Sequence, residues 1–419
     1  MDQRHAALIK ELYALRQFPK KMSLENITVL CTYLGNPQDR YPVIHIAGTN
    51  GKGSTAYLIY KILMAHGLSA GLYTSPHLKK FNERIRINDK LVPDIYLSGY
   101  WQKIKTVVNR INATFFDTTT ALAFNYFADK KVDLAIIETG LGGRLDATNI
   151  VKPKAAVITP IDFDHVKHLG NDILSITKEK AAIIKENAKT FSAKQRKSVK
   201  NYLNSCGIIE DVSECIEIVK AQINRFDSLV TFRDKTRNLL IENTRLSLAG
   251  RHQIENLVLA YRVSRWYLEQ INISFNEQKF QRVLTECTWP GRFQRISISP
   301  MIIADVCHNS ASFRSIAEHL LQTFKNEQSY LLIGLIDDKA YKEILEIISP
   351  LFSSITITEP IHDHPLPGNI LQSELVKMDK EAIFIKDMHK AYEFMKKGLA
   401  ANDWLFILGS HYLIGNLRN

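Results

Sequence analysis

The stretch from Val43 to Thr55, read Val-Ile-His-Ile-Ala-Gly-Thr-Asn-Gly-Lys-Gly-Ser-Thr, constrains the fold more than any other part of the chain. It starts as an apolar run, breaks at glycines and resumes as a helix-like segment, which is the pattern of a buried strand, a tight turn and a helix start. Gly48, Gly51 and Gly53 keep side chains out of a turn whose backbone N–H groups can converge on an anion. The helix behind the turn adds unpaired N–H groups and a partial positive charge, and Lys52 adds a full one. The spacing is not the common G-x-x-x-x-G-K-[ST] loop: Ile46 stands at the first glycine position and Gly53 at the hydroxyl position, with Ser54 and Thr55 behind it. A glycine turn in an ordinary α/β domain is the alternative, but it would not need the Gly-Lys pair, the hydroxyls and the flanking periodicities together.

The rest of the chain repeats the alternation. Leu8, Leu12 and Leu15, then Leu24, Ile27, Leu30 and Leu34, keep three- and four-residue spacing and predict a helical N-terminal cover over residues 4–34. Strands are expected at 69–74, 133–138 and 155–159, with helices after Lys52 and from Thr118 to Asp129. Five further strand-like runs, at 301–305, 329–334, 355–358, 382–385 and 404–408, predict a second parallel α/β unit. The fold class is therefore α/β: an N-terminal phosphate-loop ATPase domain over residues 1–296 on a mostly parallel sheet, and a smaller Rossmann-like domain over 297–419. A length of 419 residues also exceeds what one hydrophobic core usually serves.

Composition excludes several classes. The five cysteines are scattered and form no C-x-x-C pair, against a disulfide framework or a zinc knuckle and in favour of a reducing cytoplasm. No run of about 18 apolar residues appears, so no membrane partner is expected. The net charge of +11 raises the possibility of a nucleic-acid-binding module. The basic residues are spread along the chain without an aromatic-interleaved stripe, which favours a solvated basic surface that attracts small polyanions.

In an open parallel sheet the chemistry gathers at the carboxyl ends of the strands. One strand ends at Glu138 and enters a second glycine-rich loop, Thr139 to Asn149; the next ends at Thr159 and leads into Asp162, Asp164 and His165. An acid and an imidazole on one edge suit a Mg²⁺ ion that bridges protein and phosphate oxygens. Taken singly, Glu138 also reads as a capping or surface acid, and His165 and His168 as satisfied loop histidines.

The order of the motifs adds what no single one carries. Gly48 to Ser54, Thr74-Ser75-Pro76-His77-Leu78, Phe81-Asn82-Glu83-Arg84-Ile85 and Glu138 to Asn149 come first. Asp164-His165, Leu169-Gly170, Glu179-Lys180-Ala181, Trp289 to Phe293, Asp305 to Asn309, Asp338-Lys339 and Gly409-Ser410 follow. Together they resemble the folylpolyglutamate synthase and dihydrofolate synthase family, amide ligases of the Mur ligase superfamily. The resemblance implies ATP and Mg²⁺, the latter at two sites, with room for a monovalent cation, and folate or dihydropteroate and L-glutamate as substrates of a monomeric enzyme.

Residue by residue, the resemblance implies that Thr49, Asn50, Gly51, Lys52, Gly53 and Ser54 hold the ATP phosphates. It implies nucleotide contacts for Asn256, Arg292 and Asp305, and Mg²⁺ ligands in Ser75, Glu138, His165 and Lys180. Lys180 stands where the family carries a carbamylated lysine; a plain ammonium facing phosphate is the alternative. Phe116, Asp117, Leu145, Asp146 and Ala147 match pterin-lining positions, His308 and Ser410 glutamate-side positions, and Lys52, Lys180 and His308 are the implied catalytic residues. Asp117 replaces a glutamate, Cys307 an alanine and Ser310 a proline, and the N-terminal pterin motif survives only as Lys20-Lys21-Met22-Ser23-Leu24-Glu25-Asn26-Ile27, a departure that bears on dihydropteroate in particular. A muropeptide ligase of the same superfamily would leave the Ser-Pro-His-Leu and Phe-Asn-Glu-Arg runs unexplained.

Overall fold

Strand β1 (Val43–Ala47) is buried along its whole length, and a strand with no polar face must lie inside a sheet that is covered on both sides. With β2 (Ala70–Tyr73), β3 (Ile85–Ile87), β4 (Lys90–Leu91), β5 (Leu134–Glu138), β6 (Ala155–Ile158), β7 (Lys189–Ser192) and β8 (Ile209–Asp211) it forms an eight-stranded sheet in the order β4-β3-β2-β5-β1-β6-β7-β8. The computed structural model describes residues 3–16, 23–325 and 327–417. All pairs from β2 through β8 in this order are parallel, while β3 and β4 extend the edge as antiparallel strands; β3, β4, β7 and β8 are strands the sequence reading did not anticipate. Their brevity explains the miss, since two to four residues leave little periodicity to read.

Helices α1 (Gln3–Tyr13), α2 (Glu25–Tyr33), α3 (Lys52–Ala65), α4 (Asp94–Ile111), α5 (Phe115–Asp129), α6 (Val166–Leu169) and α7 (Ile173–Ala181) follow in chain order, all but α6 within the compact unit that holds this sheet. The helical N-terminal cover is thus α1 and α2; Lys20, Lys21 and Met22 lie outside the described residues. Helix α5 starts at Phe115 rather than at Thr118 because Thr114 and Asp117 form a reciprocal cap: Asp117 N–H donates to Thr114 Oγ1 at 3.0 Å and Thr114 N–H to Asp117 Oδ2 at 3.0 Å.

The chain divides into two compact units. The first holds residues up to Ile161, Asp172–Ile216 and Asn256–Val283; the second holds Asp162–Asn171, Glu217–Glu255 and Leu284 onward. The first unit's core joins Tyr73, Ile137, Phe124, Phe127, Trp101 and Ile104, side chains whose burial contributes about 1.5–3 kcal/mol each.

Strands β9 (Ile216–Ile223), β10 (Ser228–Asp234) and β11 (Leu239–Leu246) form a small sheet in the order β11-β10-β9, a region the sequence reading left unassigned. The second unit's main sheet contains β12 (Gln294–Ile298), β13 (Met301–Asp305), β14 (Ser329–Ile333), β15 (Ser354–Glu359), β16 (Ala382–Asp387) and β17 (Trp404–Leu408), ordered β12-β13-β17-β14-β15-β16. The five expected strands are all present and parallel; β12 is added antiparallel at the edge, where its partial exposure hid it among loop residues. Ile303, Leu331, Ile333, Ile357 and Phe406 pack against Phe313 and Ile316 of the helix Ser310–Thr323. Among the described residues, no helix is long and apolar enough to cross a membrane.

Candidate active site

Register decides which residues meet at the first sheet's carboxyl edge. Ile46 pairs with Glu138 and Ala47 with Ile158, so the loop after β1, the end of β5 and Thr159 emerge side by side. Gly48 and Gly51 adopt φ of 154° and 84°. A Cβ at Gly48 would lie 1.9 Å from Thr159 Oγ1, and one at Gly51 would lie 2.4 Å from Asn256 Oδ1, so both positions demand glycine on two grounds. Thr49 N–H donates to the Pro160 carbonyl at 2.9 Å, and Asn50 N–H reaches the same oxygen at 3.4 Å. Gly51 caps α3 in the left-handed conformation without a side-chain bond, and Lys52, Gly53 and Ser54 form the first turn behind it.

Asn256, one of the implied nucleotide contacts, comes to this loop: Thr55 Oγ1 donates to its Oδ1 at 3.3 Å. Lys52 Nζ folds back on the Thr49 carbonyl at 3.1 Å. Lys180, 4% exposed near the end of α7, donates from Nζ to the Gly48 carbonyl at 2.8 Å, so the implied catalytic lysines flank one glycine loop. The second glycine loop packs on the same helix: Arg144 N–H donates to the Glu179 carbonyl at 2.8 Å, and a Cβ at Gly143 would lie 2.6 Å from that oxygen.

Glu138 is 4% exposed at the end of β5, where its Oε2 accepts the Ser75 N–H at 3.1 Å. Two of the implied metal ligands therefore meet within the first unit. Phe116 lies under the second loop, its Cζ 2.4 Å from where a Gly140 Cβ would stand. Asp117, beside it, has its carboxylate engaged in the α5 cap. Asp146 is buried and accepts from Leu141 N at 2.8 Å and Thr148 N at 3.0 Å; desolvation raises its pKa against the pull of these bonds. Ala147 joins the core and Leu145 is half-buried. His45, which the sequence reading passed over, lies in β1 fully buried with Nε2 2.8 Å from Thr148 Oγ1; burial, with a minor contribution from Lys185, lowers its pKa to about 3. Its one signal was a lone imidazole in an apolar run.

His165 belongs to the second unit, where a set of polar groups surrounds Asp164. Lys339 Nζ donates to Asp164 Oδ1 at 2.8 Å and Asn309 Nδ2 to Asp164 Oδ2 at 3.0 Å; His308 Nε2 lies 3.4 Å from Oδ2. Burial alone would raise the Asp164 pKa, but the His308 bond with the charges of His308, His165 and Lys339 holds it well below the ordinary value. Asp338 is likewise brought down to about 2, since its His165 bond and Lys339 outweigh desolvation. For His165 desolvation wins, and its pKa is lowered despite both carboxylates. Sequence reasoning marked Asp164, Asp338 and Lys339 as motif residues without giving them a role.

The remaining implied residues line the carboxyl edge of the second sheet. Asp305 and Leu408 are register partners, so His308 and Ser410 follow neighbouring strands; the His308 and His411 rings are 5.7 Å apart. Asp305 is 5% exposed and accepts from Phe293 N at 2.7 Å and Cys307 N at 2.8 Å, with its pKa raised by burial against the charge of Arg292. His308 Nδ1 lies 2.9 Å from the Val306 carbonyl, and Ser410 Oγ accepts Tyr412 N–H at 3.0 Å.

Comparison with known proteins accounts for both halves. A Mur ligase middle domain model matches residues 46–264 and a Mur ligase, glutamate ligase domain model matches 291–411. The dihydrofolate synthase/folylpolyglutamate synthase of Escherichia coli (strain K12) is 31% identical over 402 residues, covering 94% of this chain and 90% of the relative. A Mycobacterium tuberculosis folylpolyglutamate synthase complexed with ADP superposes with a TM-score of 0.90 at 27% identity, over 99% of this chain and 97% of that one. A folylpolyglutamate synthase–AMPPCP–folate complex gives 0.87 at 28% identity, over 99% and 98%.

Proposed function

The chain belongs to the folylpolyglutamate synthase/dihydrofolate synthase family of Mur-type ligases, and on that premise we propose how its residues divide the work of joining L-glutamate to a folate. It is an ATP-dependent amide ligase. The observation that carries the assignment of roles is the meeting of two glycine loops, Lys52, Lys180, Ser75 and Glu138 at one sheet edge. We assign the ATP side to residues 1–296 and the glutamate side to 297–419.

A carboxylate is a poor electrophile, so the folate carboxylate attacks the γ-phosphorus of ATP, ADP leaves, and an acyl phosphate results. Thr49 to Ser54 hold the phosphates through the open first turn of α3, and Lys52 faces the charge on the transferred phosphoryl group. The glutamate amine, in its neutral form, then attacks the acyl carbon and inorganic phosphate departs. Asn256, Arg292 and Asp305 are assigned to the nucleotide, Phe116, Asp117, Leu145, Asp146 and Ala147 to the pterin, and His308 and Ser410 to glutamate. The donor set fits Mg²⁺: Glu138 offers a buried carboxylate, with Ser75 beside it as a further oxygen donor. His165 is the second unit's candidate ligand, and a carbamylated Lys180 is the candidate holder of a second ion. Bound there, the metal neutralises charge on phosphate oxygens.

The enzyme is assigned to the cytoplasm and to a monomeric state. The decisive assay measures phosphate release from ATP with Mg²⁺ and L-glutamate, and offers tetrahydrofolate, dihydropteroate and a muropeptide precursor in parallel. Release that requires both tetrahydrofolate and glutamate, and ignores added DNA or RNA, is expected. Release with the muropeptide precursor alone would overturn the substrate assignment. Turnover of dihydropteroate would add the synthase activity despite the altered motif at 20–27.

A further inference from the structure

The assignment of His165 as a metal ligand leaves open what aims it. The residue precedes α6 in a left-handed conformation, φ 49° and ψ 38°, which a few per cent of non-glycine residues adopt. Its own N–H is fixed by Asp164 Oδ1 at 2.9 Å. Of its ring nitrogens, Nδ1 lies 3.2 Å from Asp338 Oδ2, while Nε2 is 3.9 Å from Asp164 Oδ2, beyond hydrogen-bonding distance.

An ionised carboxylate only accepts, so the nitrogen beside Asp338 must carry the ring proton. In the neutral imidazole the lone pair then falls on Nε2, which has no acceptor within hydrogen-bonding distance among the described residues. Asp164 does not compete for the ring, because Lys339, Asn309 and the His165 backbone already occupy its oxygens. Lys339, 2% exposed in its side chain, also lies 3.2 Å from Asp338 Oδ2 and so ties the two carboxylates to one buried cation.

We propose that Asp338 is a positioning residue that locks His165 in the Nδ1–H tautomer and presents Nε2 to a divalent cation. The arrangement is a carboxylate–histidine pair of the kind that orients metal-binding imidazoles and raises their basicity. It rests on His165 being a metal ligand, and it deepens that reading by naming the residue on which ligation depends.

The test uses the full-length protein with Mn²⁺ as the probe. Electron spin-echo modulation of bound Mn²⁺ should show imidazole nitrogen coupling in the wild type and none in His165→Ala. Asp338→Ala should lose that coupling and weaken Mn²⁺ binding by about 10- to 100-fold. Asp338→Asn keeps an amide oxygen able to accept the Nδ1 proton, and should retain the coupling with a smaller loss of affinity. Wild-type coupling and affinity in Asp338→Ala would overturn the proposal and leave His165 a ligand. Absence of coupling in the wild type would overturn both. Nitrogen-15 spectra of labelled wild-type histidines need no variant: an Nε2–H tautomer at His165 in the metal-free protein would refute the proposal by itself.

Discussion

At the scale of single residues, Lys52 and its loop were legible because the chemistry is local: a turn that receives phosphate needs glycines, a cation and a helix start in one short stretch. Lys52→Ala should lower the ligation rate by roughly 10²- to 10³-fold, the usual cost of removing one group aimed at developing charge. Its thermal midpoint should stay at the wild-type value, because Lys52 is partly exposed and, among the described residues, its ammonium bonds a neighbouring carbonyl, Thr49, in its own loop. Steady-state rates at saturating ATP beside a melting curve decide it; an unchanged rate would remove Lys52 from the reaction. The partners that shape the loop were not legible. Thr159 faces Gly48 and Asn256 faces Gly51, and nothing in a linear pattern announces that a distant side chain fills the place of a missing Cβ. His45 with Thr148 and Lys339 with Asp164 were hidden for the same reason: a buried polar side chain is explained by its partner, and the partner is set by tertiary packing.

At the scale of elements, the fully buried strands were read from their unbroken apolar runs, whereas β3, β4 and β12 at the sheet edges were not. Strand β10 alternates buried and less buried positions, but its hydroxyl, Arg and Asp residues blur the pattern in sequence. Helix starts were better marked than they were used. Asp172 caps α7 by accepting from Leu174 N at 3.0 Å and Ser175 N at 2.9 Å, and α7 carries Lys180 to the Gly48 carbonyl. Asp172→Ala should therefore destabilise α7, as the loss of a side-chain cap does. Because the cap anchors the helix that holds Lys180, ligation should fall by more than the folded fraction does. Urea unfolding and single-turnover rates on the same samples separate the two effects; a rate loss fully accounted for by unfolding would confine Asp172 to stability.

At the scale of the whole molecule, acid sensitivity follows from where the histidines lie. His45 and His77 in the first unit are both held to a pKa of about 3, by burial first and then by Lys185 and Arg84 respectively. In the second unit His252 and His319 are held to about 4, again by burial first, with His319 and Arg292 adding to it at His252 and the Arg225 carbonyl opposing it at His319. Each folded pKa lies below the unfolded value of about 6.5, so the unfolded chain binds the proton first. Their contribution to stability is complete above that value and is lost as the pH falls from it towards 4 and then 3. The depressed carboxylates, Asp164 and Asp338, act in a separate window, because their contribution persists until the pH drops below the usual carboxylate range near 4. Melting temperatures measured from pH 7.5 to 4.5 should consequently decline from about pH 6.5 downwards, before Asp164 and Asp338 begin to protonate. His45→Gln should flatten that decline, since an amide cannot take up the proton, although it lowers the plateau by disturbing the bond to Thr148. A melting temperature constant down to pH 4.5 would show that these rings do not stay neutral in the folded protein.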